Sequence, residues 1–335
     1  MGSIGASLGW VVFAGIILVM LVVDLGVFHR KAHVIRFREA AAWSGVWIAL
    51  ALSFNVLVFA TYGRDRAFEF FQAWLIEKAL SVDNILVFLA IFSYFSVSPR
   101  LQHRVLFWGI LGALVTRGVF IWAGAALLQS FHWFMYVFGV FLILTAIRLM
   151  KGEESEVRPD RNVVLRVLRR LLPVTNEYAG TRFFVRREGR VWATPLLLVL
   201  VVVEATDVVF AVDSIPAVFA ITRDVFIVYT SNIFAILGLR ALSFMVSSVV
   251  RKLRYLKAGL SLVLVFIGIK MLIGDRLHIP EMASLAVVVS LLLGSAVVSL
   301  LVPRTHPAVA APEDSVPEDS VPKDSVPKDS VREEI

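Results

Sequence analysis

Cysteine is absent from the 335 residues, which excludes disulfide staples, thiolate zinc sites and cysteine nucleophiles together. Any metal must then be held by oxygen or nitrogen ligands. Charge is also scarce. Charged residues make up 18% of the chain, below the ~25% of soluble domains, and 59% of residues are hydrophobic. That balance argues against a soluble enzyme. The six histidines show no HExxH or other ligand spacing, so none is assigned to a metal. The first apolar stretch lacks the basic n-region and small-residue cleavage site of a secretory signal, and is expected to remain as a mature helix.

What is present is apolar length. Mean hydropathy is +0.81, and uncharged stretches of about 20 residues recur, each able to cross a hydrocarbon core ~30 Å thick at 1.5 Å per residue. The expected fold class is all-α: a polytopic helical membrane protein with about nine spans, at 5–28, 40–62, 69–95, 105–127, 131–150, 193–220, 225–247, 255–274 and 281–302. Residues 1–303 form the transmembrane domain in this reading. The net charge of +7 reflects basic loops rather than a nucleic-acid surface. Loops after odd-numbered spans carry 20 Lys and Arg against 4 after even-numbered ones, which places the N-terminus outside and the C-terminus in the cytoplasm. The long loop 151–192 is then cytoplasmic. From Pro312 the unit Pro-Glu-Asp-Ser-Val occurs twice and Pro-Lys-Asp-Ser-Val twice, so residues 304–335 read as a disordered cytoplasmic tail.

A second repeat lies inside the membrane. Glu77-Lys-Ala-Leu-Ser-Val-Asp83-Asn84-Ile85 aligns with Asp207-Val-Val-Phe-Ala-Val-Asp213-Ser214-Ile215. Phe107-Trp-Gly-Ile-Leu-Gly-Ala-Leu114 is echoed by Phe234-Ala-Ile-Leu-Gly-Leu-Arg-Ala-Leu242, and Ile147-Arg148 by Ile269-Lys270. Spans 3–5 (about 69–150) thus look duplicated in spans 6–8 (about 193–274). A three-span unit followed by its copy is inverted, as in many secondary transporters whose substrate site lies near the midplane.

Six acids fall inside spans: Asp24, Glu77, Asp83, Glu204, Asp207 and Asp213. An ionised Asp at a helix centre costs about 2.5–3.5 kcal/mol, so the five in spans 3 and 6 oppose insertion by on the order of 10 kcal/mol. A bound cation, protonation, or pairing with Lys78, Arg117 or Arg240 could offset it. At 100° per residue Glu204 and Asp207 share a face, as do Asp207 with Ser214 and Glu77 with Asn84, whereas Asp83 and Asp213 point elsewhere. Pro216 is expected to kink span 6 and free the Val212 carbonyl beside Asp213. Carboxylates, an amide or hydroxyl and a free carbonyl make a hard oxygen site suited to Mn²⁺, Mg²⁺ or Ca²⁺. The candidate metal ligands are Glu77, Asp83, Asn84, Glu204, Asp207, Asp213, Ser214 and Asp24. For Glu77 beside Lys78, and for Asp24, a buried ion pair that only locks helices is the alternative. Arg117 and Arg240 could be counter-ions or structural partners. Asn232 reads as an interhelical hydrogen bond, with an added oxygen ligand as the alternative, Arg148 and Lys270 as snorkelling bases, and Gly112, Gly118 and Gly124 as close packing.

Several segments carry a family likeness: Asp24-Leu-Gly-Val-Phe-His-Arg-Lys31, the Glu77–Asn84 motif, Gln102-His-Arg-Val-Leu-Phe-Trp-Gly109, Pro173-Val-Thr175, Ala193-Thr-Pro195, Glu204 to Pro216, and Ser231 to Arg240. Over about residues 20–280 the chain resembles the TerC/Alx family of bacterial membrane proteins. The resemblance implies an inner-membrane protein of the broad LysE-type transporter group, associated with manganese export and homeostasis and with tellurite resistance. It makes the acids of the two Val-Asp motifs, with Glu77, Glu204 and Asp207, the expected metal-site residues. Together these readings point to a divalent-cation exporter, for Mn²⁺, working by alternating access and coupled to protons. Its partners are the transported ion, protons and lipid, with no nucleic acid and no tightly bound cofactor. Two alternatives stand beside it. One is a non-transporting membrane partner for insertion or metal loading of exported proteins. The other is an intramembrane aspartyl protease, for which the Gly-x-Gly-Asp segment is missing.

Overall fold

A computed structural model describes residues 7–28, 37–151, 165–166, 170, 172–175, 177–187, 189–239, 241–243, 255–274 and 279–301. Residues 1–301 form one compact unit and 302–335 a second, which lies wholly outside the described residues, as does the Pro-Glu-Asp-Ser-Val tail. The helices are α1 (Ser7–Phe28), α2 (Phe37–Tyr62), α3 (Arg64–Tyr94), α4 (Pro99–Ser130), α5 (Phe134–Lys151), α6 (Pro195–Phe219), α7 (Val225–Leu237), α8 (Leu256–Ile273) and α9 (Glu281–Leu301). Six of them, α2, α4, α5, α6, α8 and α9, are long and apolar enough to cross a bilayer. The fold is that of a polytopic helical membrane protein.

Local chemistry sets the boundaries. Pro99 and Pro195 stand in the first turns of α4 and α6, where a missing N–H costs nothing. Asp224 caps α7 by accepting from the backbone N–H groups of Phe226 (2.9 Å) and Ile227 (3.4 Å). A single residue, Gly63, separates α2 from α3 with φ 87°, a conformation that glycine adopts without steric penalty.

Two features differ from the sequence expectation. The helix of span 7 stops at Leu237 and turns at Gly238, with Leu239 and 241–243 helical again. At 1.5 Å per residue α7 is about 20 Å long, short of a ~30 Å core. Lys78 explains the stop: its Nζ donates to the Ala235 carbonyl at 3.0 Å, and a Cβ at Gly238 would lie only 2.5 Å from that nitrogen. The ammonium satisfies an end carbonyl and complements the negative end of the helix. The second difference is an antiparallel hairpin, β1 (Phe184–Arg187) with β2 (Arg190–Ala193), in a chain expected to be all-α. Phe184, Val185, Val191 and Trp192 are strand-forming residues, and Gly189 between the strands takes φ 76°, which glycine adopts without steric penalty. Pro216 does not end α6, which continues to Phe219.

Packing positions the site. α3 packs on α7 as α4 packs on α6, while α3 meets α6, α4 meets α7 and α5 meets α8. This reciprocity is what a two-fold relation between α3–α5 and α6–α8 calls for. The α5–α8 contact is backbone-close: a Cβ at Gly139 would lie 3.0 Å from the Gly268 carbonyl oxygen, and one at Gly268 2.8 Å from that of Gly139. Gly139 also meets Leu272 while Gly268 meets Ile143, so the two helices run antiparallel. An aromatic core of Phe13, Phe54, Phe70, Phe226 and Phe234 joins α1, α2, α3 and α7. Lys270 does not snorkel. It pairs with Glu281 at 3.2 Å and donates to Ser284, which also accepts from Gln72 at 2.8 Å, and so fastens α9 to α8 and α3.

Candidate functional site

At the centre of α3, α4, α6 and α7 stands Arg117, a fully buried cation. Its Nη1 donates to Glu77, to Asn232 Oδ1 at 3.1 Å and to Ser214 Oγ at 3.4 Å. Nη2 and Nε straddle the Asp207 carboxylate, at 3.1 Å to Oδ1 and 3.4 Å to Oδ2. A planar fork on a carboxylate is the geometry arginine makes and lysine does not. Three helices, α3, α6 and α7, thus deliver polar side chains to the guanidinium that α4 supplies, because a charge this deep in hydrocarbon survives only when paired. Glu77 is itself fully buried, and its Oε2 has no hydrogen-bond partner among the described residues, nor does Asn232 Nδ2.

Glu204 sits one turn before Asp207 on α6. The two line a cavity of about 20 Å³ whose other walls are apolar, among them Phe88, Ile110, Ala113 and Ile236. Gly109 and Gly112 on α4 make room for the Glu204 carboxylate: a Cβ at Gly112 would collide with it. Gly112 therefore serves a carboxylate, whereas Gly118 lies against Tyr229 and Gly124 against Phe219 in close helix packing. Three carboxylates, Glu77, Glu204 and Asp207, and one guanidinium leave two formal negative charges at this place.

The structure brings Glu77, Asp207 and Ser214 together around Arg117 and sets Glu204 beside them. Asn84, two turns along α3 from Glu77, is buried on the same helix. Asp83 and Asp213 face away, as the helical phase predicts. Asp83 lies 3.4 Å from Lys257 on α8, both partly exposed, and Asp213 accepts from Thr145 on α5 at 3.5 Å with Arg148 close enough to act on it. Glu77 pairs with Arg117 rather than with its neighbour Lys78. Asp24 lies on α1 with its side chain outside the described residues, as does Arg240 entirely. Among the described residues no three Asp, Glu or His side chains group closely enough to hold a metal ion. Arg117 takes the central position. The signal for it was its depth in span 4, which marks a functional or paired base without naming the partners. Lys257 and Thr145 left no signal, since the α3–α8 and α5–α6 contacts are invisible in the sequence.

The chain is similar to known proteins over most of its length. The Integral membrane protein TerC family pattern matches residues 62–306. An uncharacterised membrane protein of Myxococcus xanthus is 50% identical over 305 residues, covering 91% of this chain and 96% of that one. Relatives from Salmonella typhi (48% over 301 residues, 87% and 94% covered) and Escherichia coli K12 (45% over 315 residues, 91% and 98%) carry the provisional name membrane-bound redox modulator Alx. No solved structure matches the chain.

Proposed function

The chain belongs to the TerC family of integral membrane proteins, and from that premise we propose that it exports divalent metal cations, Mn²⁺ above all, across the bacterial inner membrane. One observation carries the reading: three buried or half-buried carboxylates gather with Ser214 and Asn232 between α3, α4, α6 and α7, and after Arg117 is counted they leave the two negative charges that one divalent cation cancels. All the available donors are hard oxygens, with no thiolate in the chain, which favours Mn²⁺, Mg²⁺ or Ca²⁺ over softer ions. The reciprocal packing of α3–α5 and α6–α8 supports alternating access by rocking of two inverted units around a midplane site, and the short α7 supplies the broken helix such sites use. Ionised carboxylates take the cation from the cytoplasm, and protonation from outside weakens the site and releases it. The chain acts as a transporter rather than an enzyme, holds no resident cofactor, and works with lipid, protons and its cargo as partners. The basic bias of the odd-numbered loops supports an outside N-terminus and a cytoplasmic C-terminus.

The relatives' name suggests a second reading, redox modulation. With no cysteine, this chain has no thiol or disulfide couple of its own, so a redox effect would follow indirectly from the metal it moves. Flux decides between them. Inside-out vesicles containing the full chain should accumulate Mn²⁺ ahead of Zn²⁺, and Glu77→Gln or Asp207→Asn should abolish accumulation. Vesicles indistinguishable from protein-free ones for Mn²⁺, Mg²⁺, Ca²⁺ and Zn²⁺ alike would leave the exporter reading without support.

A further inference from the structure

We propose that Arg117 is a displaceable internal counter-ion: the entering divalent cation takes Glu77 and Asp207 from its guanidinium, and the guanidinium passes along the α4–α6 cavity to Glu204. The inference deepens the exporter reading and rests on it. Its first ground is mutual exclusion. The oxygens that a hard cation would need, those of Glu77, Asp207, Ser214 and Asn232, are the ones that Arg117 engages through Nη1, Nη2 and Nε. A guanidinium and a metal ion cannot share them, because like charges in a low-dielectric interior repel strongly.

The second ground is Glu204. Among the described residues it has no hydrogen bond and no ion pair, although it lies inside the membrane against an apolar cavity. An intramembrane acid of this kind normally finds a partner. Charge balance says which: with the divalent cation on Glu77 and Asp207, the charges left at the site among the described residues are Arg117 and Glu204, of opposite sign. Geometry points the same way. Ala113 and Ile110, one and two turns before Arg117 on α4, line the cavity that Glu204 faces, and helical side chains lean toward the N-terminus of their helix. The cavity, about 20 Å³, has room for about one water and not for a guanidinium. The exchange therefore requires α4 and α6 to shift apart, which ties cargo binding to the movement of one repeat against the other. Arginine suits the role since its charge is permanent and its fork grips either carboxylate bidentately.

An internal competitor lowers apparent affinity, so removing it must raise affinity. The test is Mn²⁺ binding by calorimetry to the full-length protein in lipid nanodiscs, with Mn²⁺ flux in proteoliposomes measured in parallel. Arg117→Gln should bind Mn²⁺ about tenfold more tightly and transport it more slowly than wild type. Glu204→Gln should weaken binding about tenfold in the wild-type background and have less than a twofold effect in the Arg117→Gln background, the non-additivity expected of coupled residues. Where Arg117→Gln does not yield folded protein, Arg117→Lys keeps the charge that holds the core and loses the fork; it should bind Mn²⁺ about threefold more tightly. Folded Arg117 variants that bind no more tightly than wild type, or a Glu204→Gln penalty of equal size with and without Arg117, overturn the inference while leaving the exporter reading intact. A wild-type protein that neither binds nor moves Mn²⁺ overturns both.

Discussion

Glu77 and Asp83 lie six residues apart on α3 and live in different electrostatic worlds. Glu77 is fully buried and shares Arg117 with Asp207. Removing one partner of such a pair strands the other charge and costs about 3–5 kcal/mol, so Glu77→Gln should lower the thermal midpoint of the detergent-purified protein by several degrees, read by tryptophan fluorescence. Asp83 is 26% exposed and faces Lys257, 37% exposed. Pairs of that kind contribute about 0–1 kcal/mol, and Asp83→Asn should leave the midpoint nearly unchanged. Equal losses for the two variants would contradict the assignment. Gly112→Ala tests a different property. The added methyl meets the Glu204 carboxylate, the mobile end of a flexible side chain, so stability should change by less than about 1 kcal/mol while Mn²⁺ flux falls severalfold. The sequence alone put Glu204, Asp207 and Ser214 on one face of span 6 and Glu77 with Asn84 on one face of span 3, because helical phase is a local property. It could not assign Arg117 to them, since that contact spans 40 residues to Glu77 and 90 to Asp207.

At the scale of helices, interruptions carry most of the information. α7 ends at Gly238 because Lys78 occupies the space a side chain would fill and takes up the Ala235 carbonyl. Hydropathy continued the span through Gly238, for hydropathy counts apolar residues and does not detect a base arriving from another helix. The α5–α8 crossing depends on Gly139 and Gly268 in the same way. Gly268→Leu drives a side chain into the Gly139 carbonyl, 2.8 Å from a Cβ at that position. Overpacking of this kind costs about 1–3 kcal/mol. The expected result is a lower unfolding midpoint for Gly268→Leu and an unchanged one for Gly294→Leu, a helical glycine with nothing within 4 Å. The hairpin at Phe184–Ala193 was legible in principle from the strand formers Phe184, Val185, Val191 and Trp192 on either side of Glu188-Gly189, a short signal that a scan for long apolar helices passes over.

For the molecule as a whole, the proposed export by proton coupling has a definite sign. Carboxylates bind a cation when ionised, so acid on the releasing face discharges it. In inside-out vesicles the lumen corresponds to the outside of the cell. Mn²⁺ accumulation should therefore rise when the lumen is made more acidic than the bath and fall to the no-gradient level with a protonophore. Accumulation indifferent to the gradient would remove proton coupling while leaving export standing. Topology has its own check: a reporter active only outside the cytoplasm should be silent when fused to the C-terminus and active when fused at the N-terminus.

Composition and spacing by themselves determined that the chain is a polytopic helical membrane protein and that spans 3 and 6 hold five of the six acids that fall inside spans. Apolar length, carboxylates in hydrocarbon and a repeated motif are properties of consecutive residues, each with a large cost or gain attached. The tertiary structure decided which of those charges meet. Asp83 and Asp213 went to partners on α8 and α5, Glu77 and Asp207 to Arg117, and Glu204 to an apolar cavity with its carboxylate against Gly112. Pairing energy deep in a bilayer depends on ångström-scale separations between helices, and those are set only when the helices pack.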